Sequence, residues 1–291
     1  MDWQQRMTSA LDYLERRLRD DLDLQEAARE ANCSTYHFIK MFQVVTGMGP
    51  AEYVRRRRLS CAAIDLAGGG ELILDIALKY GYDSPDSFTR AFKREFDCLP
   101  SDARVPGTRL HAYSPLSFTI TLKGDKTMEY RIEKKGEYRL TGLGLKVNNL
   151  DGTNFKEIPE FWDKVEADGR FKALCKKAGP NLGIVGVCHG FDMKSGNFVY
   201  SIAIETPADR QGLPEGCEDF VVPASTWAKF VSRGPLRPNF QETIKRIYSE
   251  WLPTSGRELA GTAEVEYYPD LPDSQASDYW CEYWVPLRDK N

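Results

Sequence analysis

The chain repeats itself at a spacing of fifty residues, and few folds accommodate such a repeat. Shifting the numbering by fifty places Leu24 on Leu74, Ala27 on Ala77, Ser34 on Ser84, Phe38 on Phe88, Lys40 on Arg90, Phe42 on Phe92 and Pro50 on Pro100. Each copy reads as a short helix, a turn and a second helix. Ser34 and Ser84 suit the N-cap, where a side-chain oxygen accepts from an otherwise unpaired backbone N–H, and Pro85 suits the first helical position. Phe38 with Phe42, and Phe88 with Phe92, are four residues apart and share one helix face, which the pattern turns inward. The opposite faces carry Thr35, Tyr36, Ile39, Lys40 and Gln43 in the first copy, and Asp86, Ser87, Thr89, Arg90 and Lys93 in the second. Those side chains are predicted to be available for reading a partner.

Between the copies, residues 50–66 read as one helix that offers Tyr53, Val54, Leu59, Ala62, Ala63 and Leu66 for burial and ends at Gly68-Gly69-Gly70. A helix of roughly 16 residues spans ~24 Å, which with the offsets of the flanking helices suits successive major grooves ~34 Å apart. Arg55 to Arg58 place four consecutive cations on this helix. Some are expected to face phosphate and others solvent or acidic neighbours.

With these residues in view, residues 1–104 resemble the DNA-binding domain of the AraC/XylS family of transcription regulators. The resemblance rests on Leu24-Gln25-Glu26-Ala27-Ala28, Cys33 to Phe38, Met41-Phe42 through Pro50, and Ile76-Ala77 through Gly81-Tyr82, Ser84, Phe88 and Arg90 to Pro100. It implies an all-α domain of two helix-turn-helix units, about 24–45 and 74–95, that binds double-stranded DNA. It also implies base reading by Tyr36, Ile39 and Lys40, then by Pro85, Asp86, Thr89 and Arg90. With the cations of the linking helix, the DNA-binding set is Thr35, Tyr36, Ile39, Lys40, Arg55, Arg57, Asp86, Thr89, Arg90 and Lys93. Ile39 offers only apolar contact, Asp86 accepts from a cytosine amino group, and readout by the second unit is expected to rest mainly on Arg90. Charge weighs against an easy reading, because residues 1–104 hold 15 basic and 17 acidic side chains, a balance of −2. The cations are grouped at Lys40, Arg55–Arg58, Arg90, Lys93 and Arg94, so strong salt dependence is expected. A protein-contact module is the alternative.

Beyond a linker at 105–111, residues 112–291 read as a second, α+β domain. Strand-like runs at 128–147, 182–187, 199–204, 217–232, 263–268 and 279–286 alternate with helical runs at 158–177 and 240–251. The order is β-α-β-β twice, and two such halves would meet about a pseudo-twofold with a cleft between them. This half resembles the GyrI-like effector-binding domain, on Tyr130-Arg131-Ile132 before Gly142-Leu143, Trp227 to Phe230 before Gly234-Pro235, Ile247-Tyr248 through Trp251-Leu252-Pro253, Glu266 to Asp270 and Glu282 to Pro286. The combination is familiar among AraC-type regulators and implies a small hydrophobic ligand, expected to be cationic. An acidic residue then forms the floor of an aromatic cleft. The matching positions are Glu282 and, second, Glu266, with Trp280 and Trp284 on the strand face of Glu282 and Tyr268 on that of Glu266. Glu264 shares the face of Glu266. Trp162, Tyr200, Trp227 and Phe230 are the candidate walls. A carboxylate withdrawn from water neutralises the cation, and aromatic faces add ~0.5–2 kcal/mol.

Other chemistries have little support. The seven cysteines form no close pair at metal spacing, and an odd number without a secretory signal implies reduced thiols and a cytoplasmic protein. Cys188-His189 are adjacent on a strand and point to opposite faces, which disfavours a nucleophile–base pair. Gly68-Gly69-Gly70 lacks the Lys-Ser/Thr of a phosphate loop, and no apolar run approaches the ~20 residues of a membrane span. No cofactor or metal is expected, and RNA polymerase is an expected partner. Two alternatives stay open for the second domain: a small-molecule hydrolase using Glu282 with Tyr268, or a protein-docking module.

Overall fold

A computed structural model describes residues 3–117, 127–150, 152–192, 196–269 and 273–289. Six helices come first: α1 (Trp3–Arg16), α2 (Leu24–Glu30), α3 (Thr35–Thr46), α4 (Pro50–Gly68), α5 (Ile73–Lys79) and α6 (Pro85–Phe96). α2–α3 and α5–α6 are the two helix-turn-helix units, and the fifty-residue repeat extends to their ends. Ser34 Oγ accepts from the His37 amide at 3.3 Å and Ser84 Oγ from the Ser87 amide at 3.2 Å. Both second helices close on a left-handed residue, Gly47 (φ 77°) and Asp97 (φ 56°), which exposes their last carbonyls to a capping N–H. Residues 105–117 carry no regular structure. They return along α4, where the Tyr113 amide donates to Ser60 Oγ at 2.9 Å and the Leu116 amide to Tyr53 Oη at 3.1 Å.

The remainder is one eight-stranded antiparallel sheet with helices on one face. In chain order its elements are β1 (Tyr130–Lys135), β2 (Tyr138–Asn148), α7 (Asn154–Ala167), α8 (Arg170–Cys175), β3 (Ile184–His189), β4 (Asn197–Glu205), β5 (Cys217–Val222), β6 (Ser225–Arg233), α9 (Leu236–Arg246), β7 (Glu264–Tyr268) and β8 (Trp280–Leu287). The strand order β1-β6-β8-β7-β3-β4-β2-β5 has a pseudo-twofold at the β7–β3 seam, and each half lends its first strand to the other half's edge. This swap curls the sheet. β1 and β2 lie six places apart, ~29 Å in a flat sheet, yet the link from Lys135 to Tyr138 reaches only ~11 Å. The inner face is consequently closed by side chains from both halves, with Leu140, Val185, Val187, Ala203, Val222, Trp227, Val265 and Trp284 buried together.

Two helical expectations need refinement. The run at 158–177 is two helices, parted at Gly169, whose φ of 83° favours glycine. The run at 240–251 is α9 followed by a π-helical turn, Ile247–Trp251. The wider turn changes the angular offset of the residues that follow, and π-turns often stand at functional sites.

The helix-turn-helix units are not equivalent neighbours of this sheet. One core joins α1 to α4 with β6, β8, α9 and the π-turn, through Phe38, Ile39, Phe42 and Tyr53 on one side and Phe230, Phe240, Tyr248 and Tyr283 on the other. The second unit has a core of its own around Leu66, Ile76, Phe88 and Phe92.

Candidate functional site

α3 lies over the β7–β3 seam on the outer face of the sheet, between the elements of the two repeats. It is buried on nearly every side: Thr35, Tyr36, His37, Phe38, Ile39, Met41, Phe42 and Gln43 are all buried. Tyr36 stacks on Phe191 with ring centroids 3.7 Å apart and packs among Val147, Phe198 and Ile202 of the first repeat. Gln43 donates to the Asn149 carbonyl. Of the side chains expected to be open for DNA on the first unit, Tyr36, Lys40 and Gln43 therefore engage the second domain, and Thr35 and Ile39 are buried. The second unit differs, because Asp86, Arg90 and Lys93 of α6 are exposed and Thr89 is half-buried.

Where α3 meets the sheet, one carboxylate gathers the contacts. Glu264 is 1% exposed. Tyr36 Oη donates to its Oε2 at 2.8 Å and Tyr283 Oη to the same oxygen at 2.8 Å. Tyr248, carried by the π-turn, donates to Oε1, and the Lys40 ammonium pairs with Oε2. That ammonium also donates to Tyr36 Oη at 3.3 Å and to Tyr283 Oη, and it lies 5.6 and 5.1 Å from the centroids of those two rings. His37 Nε2 stands 3.8 Å from Oε1 and has no hydrogen-bond partner among the described residues. Burial alone would raise the Glu264 pKa; the Lys40 charge and the donated hydrogen bonds outweigh it and hold the carboxyl at about 2. Burial pushes His37 down to about 4, so it is neutral. The arrangement is a cation held by one buried carboxylate and the hydroxyls and faces of tyrosines.

A second carboxylate stands two residues along the same strand. Glu266 accepts from Tyr268 Oη at 2.8 Å and from Tyr200 Oη, and Trp162 Nε1 donates to Tyr200 at 2.8 Å. Burial raises its pKa, opposed by those hydroxyls. Opposite Glu266 in the ladder is Gly186, and a Cβ there would collide with the Tyr200 hydroxyl and the Glu266 carboxylate. Glycine makes the room in which this pair meets.

The nine ligand-binding candidates do not form one group. Glu266, Tyr268, Tyr200 and Trp162 meet on the outer face, while Phe230, on the same face, packs with Trp251 and Tyr130 at 4.8 and 5.5 Å. Glu282, Trp280, Trp284 and Trp227 point inward: Trp284 lies against Tyr267 at 5.8 Å and Trp227 at 6.2 Å, and Trp284 Nε1 donates to Glu282 at 2.7 Å. Pairing of Glu282 with Tyr268 is ruled out by strand alternation, since their side chains leave opposite faces. Arg131 engages Glu282 with both terminal nitrogens, at 2.6 and 3.0 Å, and the Lys229 ammonium sits 3.6 Å over the Trp284 ring. A cavity of about 640 Å³ opens here, lined by Tyr138, Lys229, Tyr267, Trp280, Glu282 and Trp284. On α4 the arginines are engaged within the protein. Arg55 pairs with Glu52 and Glu95, Arg56 with Glu52, and Arg57 with Glu15 at 2.9 Å, while Arg58 donates to the Asp20 carbonyl.

Glu264 escaped the sequence reading as a site residue although its parity with Glu266 was visible. Its partners Lys40 and Tyr36 lie 224 and 228 residues away, a pairing that no local pattern encodes.

A DNA-reading unit packed into the cleft of an α+β domain is the build of a one-chain transcription regulator, with DNA-binding and effector-binding parts in the same polypeptide. The chain belongs to the AraC-type regulators that carry such a domain: residues 27–105 match the model of a helix-turn-helix domain and residues 131–287 that of the integron-associated effector binding protein. It is 42% identical to the transcriptional regulator Rob of Salmonella typhimurium, over 95% of this chain and 96% of that protein. The right origin-binding protein of Escherichia coli K12 is 42% identical with the same coverage. The regulatory protein SoxS of Salmonella typhimurium is 36% identical over 104 residues, 36% of this chain and 97% of that protein.

Proposed function

We propose that this regulator senses a hydrophobic cation in the outer cleft, at Glu264 and Glu266, and reads DNA with α3 and α6. The observation that carries this reading is Glu264, a buried carboxylate kept ionised within a ring of tyrosines. An isolated buried carboxylate is strongly unfavourable, so a site of this composition calls for a positive charge, and tyrosine faces suit an organic one. Transcription control makes RNA polymerase the expected further partner and the cytoplasm, where the DNA lies, the expected place of action. The reading requires no catalysis.

The test is thermal unfolding of the intact protein with tetraphenylphosphonium, its anionic isostere tetraphenylborate and neutral triphenylphosphine oxide. A ligand at 100 times its dissociation constant stabilises by ~2.7 kcal/mol. Cation-selective stabilisation that is lost in Glu264→Gln and kept in Glu282→Gln is the expected result. The inner-face cavity favours a second reading, in which the ligand displaces the half-exposed Arg131 and pairs with Glu282. The opposite pattern of losses would establish that one.

A further inference from the structure

The cation in the outer cleft already has an occupant, and it belongs to the DNA-reading helix. Lys40 approaches Glu264 as an amine ligand would, with its charge on the carboxylate and its ammonium against the Tyr36 and Tyr283 rings and hydroxyls. Lys40 is also the residue that the fifty-residue repeat aligns with Arg90, which stands exposed on α6. The same ammonium cannot both lie on a buried carboxylate and reach a base edge. Nor can Thr35, Tyr36 and Ile39 enter a groove while they are buried.

We propose that Lys40 is a built-in pseudo-ligand: it holds α3 in the effector cleft, and a hydrophobic cation acts by taking its place on Glu264 and releasing α3. The proposal rests on the sensor reading above and adds the competition. Two features of the interface fit exchange rather than permanent burial. Glu264 has a cation in both end states, Lys40 when α3 is docked and the ligand when it is displaced. The hydroxyls of Tyr248 and Tyr283, which complete the cage, belong to the second domain and stay behind when α3 leaves. Beneath α3, Cys188 is buried on β3 among residues that pack with Tyr36, so departure of the helix uncovers a thiol.

The competition has a quantitative signature. A ligand whose site is open only a fraction of the time binds more weakly by that fraction. Removing the pseudo-ligand should therefore tighten binding of the true one. In the full-length protein, tetraphenylphosphonium is expected to speed amide exchange over residues 35–46 and to expose Cys188 to alkylation. Lys40→Met should bind the same cation ~tenfold or more tightly. Lys40→Gln, polar and of similar length, should do likewise and serves if the methionine variant is poorly folded. If the cation binds wild type and both variants equally and leaves 35–46 protected, the displacement is overturned while a cation sensor with another site survives. If it binds none of them, the sensor reading fails and the competition fails with it.

Discussion

His37 reports on the docked arrangement through its protonation. It lies on α3, bonded through Nδ1 to Ser34 Oγ at 2.9 Å, with Nε2 toward Glu264 and with Lys40 and Arg288 as nearby cations. Burial depresses its pKa to about 4, below the usual 6.5, so the docked state binds fewer protons than the unfolded one between those values. Stability from this source is full above pH 6.5 and is lost as pH falls through 4, on the order of 3 kcal/mol in all. His189, stacked on Phe220 at 3.9 Å, is also depressed to about 4 and adds in the same direction. Glu264, at about 2, acts only below pH 4.5, whereas Glu266, whose pKa burial raises, works in the opposite direction as pH falls and offsets part of the histidine loss. Denaturation midpoints measured from pH 7 to 5 should fall, and His37→Gln should flatten that slope; an unchanged slope would leave His189 as its source. Gly186→Ala makes a second residue-scale test. The added Cβ should force Tyr200 and Glu266 apart and weaken cation binding, and a variant that binds normally would place the ligand away from Glu266. Strand alternation made Glu266 with Tyr268, and Glu282 with Trp280 and Trp284, legible as pairs. It could not tell that the two sets face opposite sides, because that depends on the register of β7 against β8 across a connection partly outside the described residues.

At the scale of elements, α3 and α6 are equivalent in sequence and unequal in place. The repeat predicted both helices, both caps and the inward phenylalanines from local chemistry alone. What α3 packs against was not legible, because a pattern that turns one helix face away from its own core does not say whether DNA or another domain covers that face. Ile39 and Tyr36, unusual as base readers, are well suited to a buried interface. α6 differs in that Asp86, Arg90 and Lys93 are exposed. Arg90→Ala should therefore weaken DNA binding by the intact protein by ~1–3 kcal/mol whether or not a cation is present. On α4, Arg57 is 8% exposed, holds Glu15 with two nitrogens at 2.9 Å and donates to the Tyr113 carbonyl. Its replacement by alanine should lower stability by ~1–3 kcal/mol, leaving Glu15 without its cation, and should not flatten the salt slope of DNA binding. A flatter slope in Arg57→Ala at unchanged stability would put that arginine on phosphate.

For the whole molecule, the proposed displacement makes cation and DNA two ligands of one equilibrium. On that proposal α3 in the cleft binds neither, and α3 released opens the carboxylate to a cation and the helix to a groove. Thermodynamic linkage then fixes a relation that no single-site measurement supplies: the factor by which the cation tightens DNA must equal the factor by which DNA tightens the cation. A duplex selected by the full-length protein from a random library supplies the DNA, and titrations in both orders at one salt concentration supply the two factors. The expected coupling is positive, and typical allosteric couplings of ~1–3 kcal/mol correspond to ~5- to 150-fold. Lys40→Met should reduce both factors together, since a helix no longer held by its own ammonium leaves the cation less to release. Lys40 is also one of the base readers proposed on α3, so its loss should lower DNA affinity at saturating cation as well. The ratio of the two conditions, rather than either affinity, isolates the switch. Equal factors that stay unchanged in Lys40→Met would assign the coupling to other contacts of α3, of which Tyr36 on Glu264 and Phe191 is the next to test.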